Sequence, residues 1–598
     1  MVKAKNNGKS SWGVVFSYLS PFKGLLTVIC LMSLTSSAAS LLQPLIVNDL
    51  VDSAGSAQGI GYLPVLIILV LIIGAILNGI QQYFIQKVAE SVARDARTQL
   101  VRKILRIPLD ALEKYTKGDI LSRVINDTML LRRCLSEGFV QSFVGVFTLI
   151  GAVIGMFFID PLLLAISAVI SLLAVVSVTM ATSKVEKSSA QMQQAVGELS
   201  SDVSSVLEAS SLVRTENAAG HQFKRLQQKV DNAWLKGIGV ARLVALITPI
   251  SAVAMQITFL VVLGVGGVRV ANGIITVGNL VSFVMFLVMM IMPLGYIFGT
   301  MSNIAEASGG ITRIQEILGI PDEYPEQLET YHENRDIRSI LLDNVSFKYG
   351  AEPEEGASPY LISGMTLSIA PGEKIKGIDL DIERGEMVSI MGASGSGKST
   401  LLRLIARLYE ISGGNLLYSG TASSDISIPA VRAKIGLVQQ ESPLILGTLL
   451  DNVYISGRGT DSAAAHRILK DLGLEKVLER SGHGVDLNIG GSGTSLSGGE
   501  KQRLAIARVI LKNPQVYLLD EFTSQLDGIS EELVVSVLNN NAAPESTMIM
   551  VAHRMSTVVN ADMIYVMDHG RIVAQGTHDI LMEFSPLYRE LVSNQLIH

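Results

Sequence analysis

The chain has 598 residues, of which 48% are hydrophobic and 17% are charged, and its net charge is −6. This length is too great for one ordinary domain, the charge content is low for a wholly soluble protein, and nothing in the charge balance indicates a nucleic-acid partner. The two cysteines, Cys30 and Cys134, exclude a disulfide framework.

The first 22 residues are predicted to form an interfacial helix that lies along a membrane surface. The stretch SSWGVVFSYLSPF carries Trp12, Phe16 and Tyr18, whose aromatic rings favour the level of the lipid headgroups. A cleaved signal peptide is not expected, because no small-residue cleavage site follows a short apolar core.

Residues 23–320 are predicted to form an α-helical transmembrane domain. Six stretches in this region contain no Asp, Glu, Lys or Arg, and each exceeds the length of about 20 residues that a helix needs to cross a bilayer. Buried helices of a large soluble protein are a poorer explanation, since such helices usually run for about 10–14 residues. The six transmembrane helices are expected at about 24–48, 61–86, 138–159, 161–183, 243–268 and 276–305.

The basic residues predict how the chain is oriented. The short loops on one side of the predicted spans carry almost no Lys or Arg, whereas the other side is rich in both. Both termini are therefore expected in the cytoplasm, with the chain in the cell (inner or plasma) membrane. The charged intervals 87–138 and 184–241 have helical spacing and few Gly or Pro residues, which predicts long cytoplasmic extensions of the spans.

A linker at 321–336, rich in Pro and acidic residues, is predicted to lead into an α/β P-loop domain at 337–598. There the strand EMVSIM runs into GASGSGKST and then into a helix, which is the structural context of a phosphate-binding loop. Its glycines let backbone N–H groups surround the phosphates, Lys398 reaches the β- and γ-phosphates, and Ser399 ligates Mg²⁺. The predicted ATP-binding residues of this loop are Gly392, Ser394, Gly395, Ser396, Gly397, Lys398, Ser399 and Thr400.

A second apolar strand, VYLLDE, ends in two carboxylates. A nucleoside triphosphatase needs such a pair at a strand end, with Asp520 in the Mg²⁺ shell and Glu521 polarising the attacking water. An apolar run that ends in Asp-Glu is commonplace by itself, so this interpretation depends on the phosphate loop upstream.

The residues LSGGE at 496–500 resemble the signature motif of ABC ATPases, and KGDILSRVINDT at 117–128 is similar to the first cytoplasmic loop of that family. With spans first and an ATPase domain second, essentially the whole chain resembles an ABC half-transporter of the exporter type, similar to bacterial multidrug, lipid and peptide exporters. The resemblance implies an ATP-hydrolysing translocase that uses ATP and Mg²⁺.

The resemblance also implies roles for residues outside the phosphate loop. Gln440 matches the glutamine that touches Mg²⁺ and faces the membrane domain, and His553 matches the switch histidine near the γ-phosphate. The predicted catalytic residues are Glu521, His553, Gln440 and Asp520, and the predicted Mg²⁺ ligands are Ser399, Gln440 and Asp520.

Nucleotide contacts complete the implied site. Tyr349 is expected to stack beneath the adenine ring, with Tyr360 as its substitute. Ser497, Gly498 and Gly499 would contact the γ-phosphate bound to a second subunit, because the family holds ATP between two ATPase domains.

Four positions depart from the family pattern. Gly491 and Ser492 stand where an acidic residue and an arginine are common, which predicts a weakened or replaced contact to the partner's loops. Phe522 and Gln525 occupy positions where small residues are usual. Neither change removes a catalytic group.

A strand-like frame, G-x-x-L-x-I-x-x-G-E, occurs twice, at 364–373 and 377–386. The second copy leads directly into the phosphate loop and is expected to be the working strand, while the first is interpreted as an insertion after Tyr349. Coincidence between two amphipathic strands is the alternative, and no function is assigned to the repeat.

The function implied by the resemblance is ATP-driven export of a hydrophobic or amphipathic solute (a drug, lipid or peptide) by an alternating-access homodimer in the lipid bilayer. A homodimer is expected because one chain contains every motif of one site. An importer on the same fold, or an ATP-gated channel or regulatory membrane protein, remains an open alternative. The regions near Tyr115 and Arg214 are expected to dock on an ATPase domain close to Gln440 and to couple hydrolysis to transport.

Overall fold

The structure is a computed structural model. It describes residues 20–54, 61–325, 336–349, 373–457, 461–489, 496–551 and 558–596. The chain divides into two compact units. The first combines Met1–Lys103 with Thr116–Gly319, and the second combines Ile104–Tyr115 with Ile320–His598.

The described residues of the first unit form helices joined by short turns. Two π-helical turns, Arg123–Asp127 and Cys134–Phe139, interrupt the third long helical stretch. The 3₁₀ turn is Ser20–Phe22, and the α-helices are Lys23–Ala54, Leu63–Ile104, Lys117–Ser122, Thr128–Arg133, Val140–Ile159, Pro161–Glu208, Ser210–Thr215, Ala219–Ala271, Val277–Met289 and Ile291–Gly319.

Apolar helices suited to a bilayer recur along this unit. In the described part of the chain, four helical stretches are long and apolar enough to cross a membrane, and two shorter apolar helices accompany them. The four are Ser20–Ala54, Leu63–Ile104, Lys117–Ile159 and Ala252–Ala271, and the two shorter ones are Pro161–Leu173 and Val277–Met289. The helical membrane domain is thereby confirmed, whereas the count of six spans stays a prediction, as does the interfacial helix, whose first 19 residues lie outside the described residues.

Two helices of this unit continue far beyond the apolar stretches. Pro161–Glu208 has 48 residues and Ala219–Ala271 has 53, so each is about 70–80 Å long. The first begins sharply because Asp160 accepts hydrogen bonds from the backbone N–H groups of Leu162 and Leu163 at 2.9 and 3.1 Å, with proline at the first helical position. The excursion predicted at 184–241 is therefore helical except at Ala209 and at the short turn 216–218.

The second unit is an α/β domain built on three sheets. The larger sheet has the order β12-β11-β3-β10-β9-β6, a four-stranded sheet has the order β2-β1-β4-β5, and β7 pairs with β8. The strands are β1 Ser339–Lys348, β2 Glu373–Glu383, β3 Met387–Gly392, β4 Gly413–Tyr418, β5 Thr421–Ala422, β6 Ile435–Val438, β7 Gly447–Thr448, β8 Asn488–Ile489, β9 Val516–Asp520, β10 Thr547–Val551, β11 Met563–Asp568 and β12 Arg571–Gly576.

Short helices cover both faces of the larger sheet. The α-helices are Leu109–Leu112, Lys398–Ile405, Ile428–Lys434, Leu449–Val453, Ser462–Asp471, Glu475–Glu479, Gly498–Lys512, Gly528–Asn541, His578–Phe584 and Pro586–Leu596, and the 3₁₀ turns are Ser423–Asp425, Arg480–Gly482 and Gly484–Asp486.

The central strands of this sheet are buried on both faces. In β9, Leu518 packs into one hydrophobic cluster while its neighbours Tyr517 and Leu519 pack into the other. Parallel pairing of β3, β10, β9 and β6 explains why these strands read as continuous apolar runs. Their carboxyl ends share one edge of the sheet, and the candidate site is built there.

The repeated strand frame has one described copy. Residues 377–386 lie in β2 and the turn after it, and β2 pairs antiparallel with β1, with Leu342 opposite Leu380. Gly385, at φ +88°, turns the chain into β3. The second copy therefore forms the strand and turn that lead into β3, while residues 364–372 of the first copy lie outside the described residues.

Candidate active site

The phosphate loop joins the buried strand β3 to the helix Lys398–Ile405, as its sequence predicts. Gly392 must be glycine, because a Cβ there would lie 2.1 Å from the backbone oxygen of Met567. Gly397 precedes the helix at φ +104°, a conformation that side chains rarely allow. Ser394 and Gly395 are exposed at the apex of the loop.

Lys398 is buried inside this loop. Its Nζ donates to the backbone oxygens of Gly392 at 2.8 Å and Ala393 at 2.9 Å. Burial lowers the pKa of Lys398, and the nearby carboxylates of Glu521 and Asp520 oppose that shift. The loop thus contains a cation held by groups that an anionic phosphate can replace.

Asp520 lies at the end of β9, beside the first turn of the loop helix. It is 4% exposed, and its Oδ1 accepts a 2.9 Å hydrogen bond from the hydroxyl of Ser399. Burial raises the pKa of Asp520, and the carboxylate of Glu521 raises it further, whereas Ser399 lowers it. Two residues predicted to be Mg²⁺ ligands therefore meet in the structure.

Glu521 follows at once and has a backbone φ of +47°, which is uncommon for any residue except glycine. Its backbone N–H donates to the carbonyl of Val551 at 3.2 Å, and its Oε2 accepts a 2.7 Å hydrogen bond from Nε2 of Gln440. The glutamine comes just after β6, so three neighbouring strand ends supply this arrangement. His553 lies outside the described residues.

Tyr349 stands just beyond β1, next to the loop helix. Its hydroxyl is 3.0 Å from the hydroxyl of Thr400. Its ring packs nearly perpendicular to Phe347, with centroids 4.8 Å apart, and to Tyr409, with centroids 5.2 Å apart. The predicted adenine platform is thus braced from its sides. Tyr360, its predicted substitute, lies outside the described residues.

Residues Ile104–Tyr115, which we call the docking segment, belong to the same compact unit as the ATPase residues. Leu109 packs against the hydrophobic cluster of that unit, and Glu113 accepts a 2.6 Å hydrogen bond from the hydroxyl of Tyr409. The backbone oxygen of Arg106 accepts from the N–H of Glu323 at 2.8 Å. This segment is expected to lie near Gln440, which stays a prediction. One of its side-chain hydrogen bonds is made to Tyr409, and Gln440 is bonded to Glu521.

The signature residues begin the helix Gly498–Lys512. Ser497 caps that helix, since its hydroxyl accepts from the N–H of Glu500 at 3.3 Å and its own N–H donates to the Glu500 carboxylate at 2.7 Å. A Cβ on Gly498 would lie 2.3 Å from Oε1 of Gln525, and one on Gly499 would lie 3.1 Å from the backbone oxygen of Gln525. The unusual glutamine at 525 therefore fills space beside the two glycines.

The sequence predictions did not include two residues that contact the site. Tyr409 braces Tyr349, and Gln502 bonds to the backbone of Glu521. A signal for Gln502 was present, because it shares a helical face with the apolar residues Ala505 and Val509, where a polar side chain needs a specific partner. The sequence holds no comparable signal for Tyr409.

Two family models match the chain in succession. The one described as the ABC transporter transmembrane region matches residues 26–294, and the one described as ABC transporter matches residues 375–524. The models thus cover the membrane helices and the phosphate loop with the strand of Asp520, in that order.

Curated relatives are similar over nearly the whole chain. An ATP-dependent lipid A-core flippase of Syntrophus aciditrophicus (strain SB) is 27% identical, covering 93% of this chain and 89% of its own length. A multidrug resistance ABC transporter ATP-binding and permease protein of Lactococcus lactis subsp. lactis (strain IL1403) is 26% identical, covering 95% and 92%.

A solved structure shares the fold. The structure of a bacterial Atm1-family ABC exporter with ATP bound matches with a TM-score of 0.78 and 22% identity, covering 96% of this chain and 98% of that one. The same order of membrane helices and ATPase domain thus recurs in sequence and in structure. The chain therefore belongs to the ABC transporters, as an exporter-type chain in which a transmembrane region is fused to an ATP-hydrolysing domain.

Proposed function

We propose that the chain exports a hydrophobic or amphipathic solute, a drug, lipid or peptide, as a homodimer that alternates between inward-open and outward-open states. The observation that carries this proposal is the meeting of two residue pairs beside the phosphate loop. Ser399 is bonded to Asp520, and Gln440 is bonded to Glu521. A chain that joins such a site to long apolar helices can use ATP to drive membrane transport.

Glu521 acts as the general base in the proposed reaction. Its carboxylate takes a proton from water, the water oxygen attacks the γ-phosphorus in line, and the bond to the leaving ADP oxygen breaks. Lys398 offers its ammonium to the phosphate oxygens, which suits a cation that already lies inside the loop. Gln440 holds the Glu521 carboxylate by its 2.7 Å hydrogen bond and so limits the directions in which the base can point.

The residues present fit a Mg²⁺ ion that accompanies ATP. Magnesium prefers oxygen ligands, and in nucleotide sites it usually takes one or two carboxylates together with phosphate oxygens and water. The Ser399 hydroxyl and the Asp520 carboxylate, 2.9 Å apart, offer two such ligands, and the Gln440 amide is the third predicted one. Within the described residues no three His, Cys, Asp or Glu side chains form a metal cluster by themselves. When bound, the ion would neutralise phosphate charge.

The positions of the signature residues support the proposed homodimer. Ser497 and Gly498 are exposed at the start of their helix, which leaves them available to the nucleotide of a second chain. One chain supplies the phosphate loop, the strand-end carboxylates and the signature motif, so two identical chains give two complete sites. His553 is proposed to contact the γ-phosphate in each site, and Tyr349 to carry the adenine.

The solute is proposed to be largely apolar. The predicted spans contain no Lys or Arg in mid-membrane, so a strongly anionic lipid would find no counter-charge there. Methionine is frequent near Pro293, at 285, 289, 290 and 292, and its flexible side chain suits adaptable apolar surfaces. The basic flanks support a cell-membrane location with the termini and the ATPase domain in the cytoplasm.

The experiment is transport in reconstituted vesicles that contain the full chain. Vesicles whose ATPase domains face outward should accumulate a stimulating drug, lipid or peptide when ATP is added outside. The Glu521→Gln variant should bind ATP normally but hydrolyse it about 10²–10⁴-fold more slowly, and it should not transport. ATP-driven loss of solute from the lumen would instead indicate an importer. Downhill flux that needs ATP binding without hydrolysis would indicate a gated channel.

A further inference from the structure

Gln502 connects the helix of the signature motif to the strand-end carboxylates within one chain. It is 1% exposed, and both ends of its amide are bonded. Nε2 donates to the backbone oxygen of Glu521 at 3.0 Å, and Oε1 accepts from the backbone N–H of Gln525 at 3.1 Å. One side chain therefore holds two points of the segment that carries the proposed base.

The orientation of this amide follows from its partners. A carbonyl oxygen on one side can only accept, and a backbone N–H on the other side can only donate, so a rotated amide would lose both hydrogen bonds. Glutamine is the residue that offers a donor and an acceptor at this reach without a charge. An apolar side chain of the same length would leave both backbone groups without this partner in a buried place.

The backbone of Glu521 needs such a restraint. Its φ of +47° is disfavoured for a residue other than glycine, and a conformation of this kind persists only where neighbouring contacts fix it. Its N–H is bonded to Val551 at 3.2 Å, and its carbonyl accepts from the N–H of Ser524 at 3.1 Å as well as from Gln502. The amide of Gln502 thus adds a side-chain hydrogen bond to the backbone hydrogen bonds that fix Glu521.

We infer that Gln502 is a positioning residue for hydrolysis: it holds the backbone of Glu521 so that the carboxylate points at the attacking water. This inference rests on the proposed role of Glu521 as the base. Gln525, the other partner of the amide, also touches Gly498 of the signature motif. The base of one site and the signature surface that is proposed to face the other site are thus linked through hydrogen bonds and packing within one chain.

The test compares Gln502→Met and Glu521→Gln, alone and combined, in the full-length protein reconstituted in lipid. We expect Gln502→Met to lower kcat for ATP about 10-fold or more while the KM for ATP changes less than about twofold, because a small misplacement of a reacting group slows the chemical step without weakening binding. In the Glu521→Gln background the same change should lower the residual rate by less than about twofold, because it acts through the missing base.

Gln515→Met is the matched control. The amide of Gln515 likewise bonds to two neighbours, accepting from the N–H of Ile337 at 2.8 Å and donating to Asp336, but it lies away from the strand ends that carry the base. Gln515 is half-buried, so its substitution should cost less thermal stability than Gln502→Met, and it should leave kcat within about twofold of the parent.

Gln502→Glu provides a second variant. The introduced carboxylate can still accept from Gln525, but it cannot donate to Glu521, so it should lose as much kcat as Gln502→Met. A normal kcat in both Gln502 variants would overturn the inference, and so would equal losses in the Glu521 and Glu521→Gln backgrounds. A loss of ATP binding together with kcat would also overturn it, since the residue would then only support the fold. Failure of the proposed function is a separate result, namely a Glu521→Gln variant that still hydrolyses ATP.

Discussion

The hydroxyl of Tyr409 donates a 2.6 Å hydrogen bond to Oε1 of Glu113, and this contact joins the docking segment to the aromatic cluster beside the phosphate loop. Burial raises the pKa of Tyr409, and the adjacent Glu113 raises it further, so the phenol stays protonated and remains a donor at every working pH. The ring of Tyr409 contacts Tyr349, whose own hydroxyl meets Thr400 of the loop. A short chain of contacts therefore runs from the docking segment to the proposed nucleotide site.

Tyr409→Phe should weaken coupling more than chemistry. The change keeps the ring that braces Tyr349 and removes the hydrogen bond to Glu113, and a bond to a charged group contributes about 1.5–3 kcal/mol. Basal ATPase should stay within about twofold, while transport and the stimulation of ATPase by solute should fall together, since coupling between two sites is reciprocal in binding. Vesicles that report both quantities provide the measurement.

Tyr418→Phe is the control for that variant. Its hydroxyl also makes a buried hydrogen bond, to the backbone oxygen of Ile405 at 2.7 Å, and that partner lies outside the docking segment. It should leave the ratio of transport to hydrolysis unchanged. If both variants lost ATPase activity and transport in the same proportion, the contact between Tyr409 and Glu113 would stabilise the fold and would have no role in coupling.

Tyr349→Ala should raise the KM for ATP about 10-fold and change kcat by less than about threefold. Stacking on a base contributes about 1–3 kcal/mol, and it binds the adenine without touching the phosphates. Tyr349→Phe keeps the ring and loses the contacts of the hydroxyl with Thr400 and Arg403, so its KM should stay close to that of the parent. Steady-state kinetics distinguish the two. A normal KM for Tyr349→Ala together with a raised KM for Tyr360→Ala would transfer the adenine platform to Tyr360.

Asp520→Asn should stabilise the nucleotide-free protein and abolish hydrolysis. The pKa of Asp520 is raised by burial, so its ionised form at neutral pH destabilises the folded state relative to a neutral side chain. The direction of the pKa shift determines the pH dependence of stability. The stability linked to a raised pKa of Asp520 is fully present below the pKa of this carboxyl in the unfolded state, and it is lost as the pH rises through its pKa in the folded state. The melting temperature of Asp520→Asn should exceed that of the parent by a few degrees at pH 7–8. The difference should shrink as the pH is lowered, and a constant difference would contradict this account.

Arg313→Ala should destabilise the membrane unit. Asp127 is 2% exposed, and its Oδ2 accepts a 2.9 Å hydrogen bond from Nε of Arg313, so removal of the arginine leaves a buried carboxylate without that partner. Breaking a buried pair usually costs about 3–5 kcal/mol, and we expect about 2–3 because the guanidinium is half exposed. Thermal unfolding in detergent measures the shift.

Arg133→Ala is the matched control in the same unit. Its guanidinium lies 4.0 Å from the carboxylate of Glu137, and both side chains are mostly exposed. Its melting temperature should be nearly that of the parent, because exposed pairs contribute about 0–1 kcal/mol. Equal shifts in melting temperature for the two variants would show that the burial of Asp127 does not affect stability.

The sequence predicted those parts of the site that depend on local structure. The phosphate loop, the strand that ends in Asp520 and the second copy of the repeated frame are each encoded within about 15 consecutive residues, where spacing and residue type determine the turn. The order of the six strands in the larger sheet could not be predicted in the same way, because parallel neighbours such as β3 and β10 are more than 150 residues apart in the sequence.

The contacts of the docking segment could not be predicted from local sequence either, because they join residues that are far apart in the chain. Glu113 and Tyr409 are separated by 296 residues, and neither has an unusual neighbourhood in the sequence. The expectation that this segment lies close to Gln440 came from the resemblance and stays a prediction, while the amide of Gln440 is bonded to Glu521. A polar residue on an apolar helical face, as at Gln502, shows that a partner exists but does not name it.

The docking segment is synthesised long before the ATPase residues that it contacts. Its residues emerge with the early membrane helices, yet Tyr409 follows Glu113 by 296 positions, so at about 5–20 residues per second the segment waits roughly 15–60 s for its partner. During that interval Leu109, whose side chain later packs against the ATPase core, has no such core to join. The ATPase unit is therefore completed by residues translated long before the rest of it, and its folding is tied to the successful insertion of the membrane helices that flank them. A lesion in either of these flanking helical stretches, Leu63–Ile104 or Lys117–Ile159, would then appear as a nucleotide-domain defect, although every residue of the phosphate loop is intact.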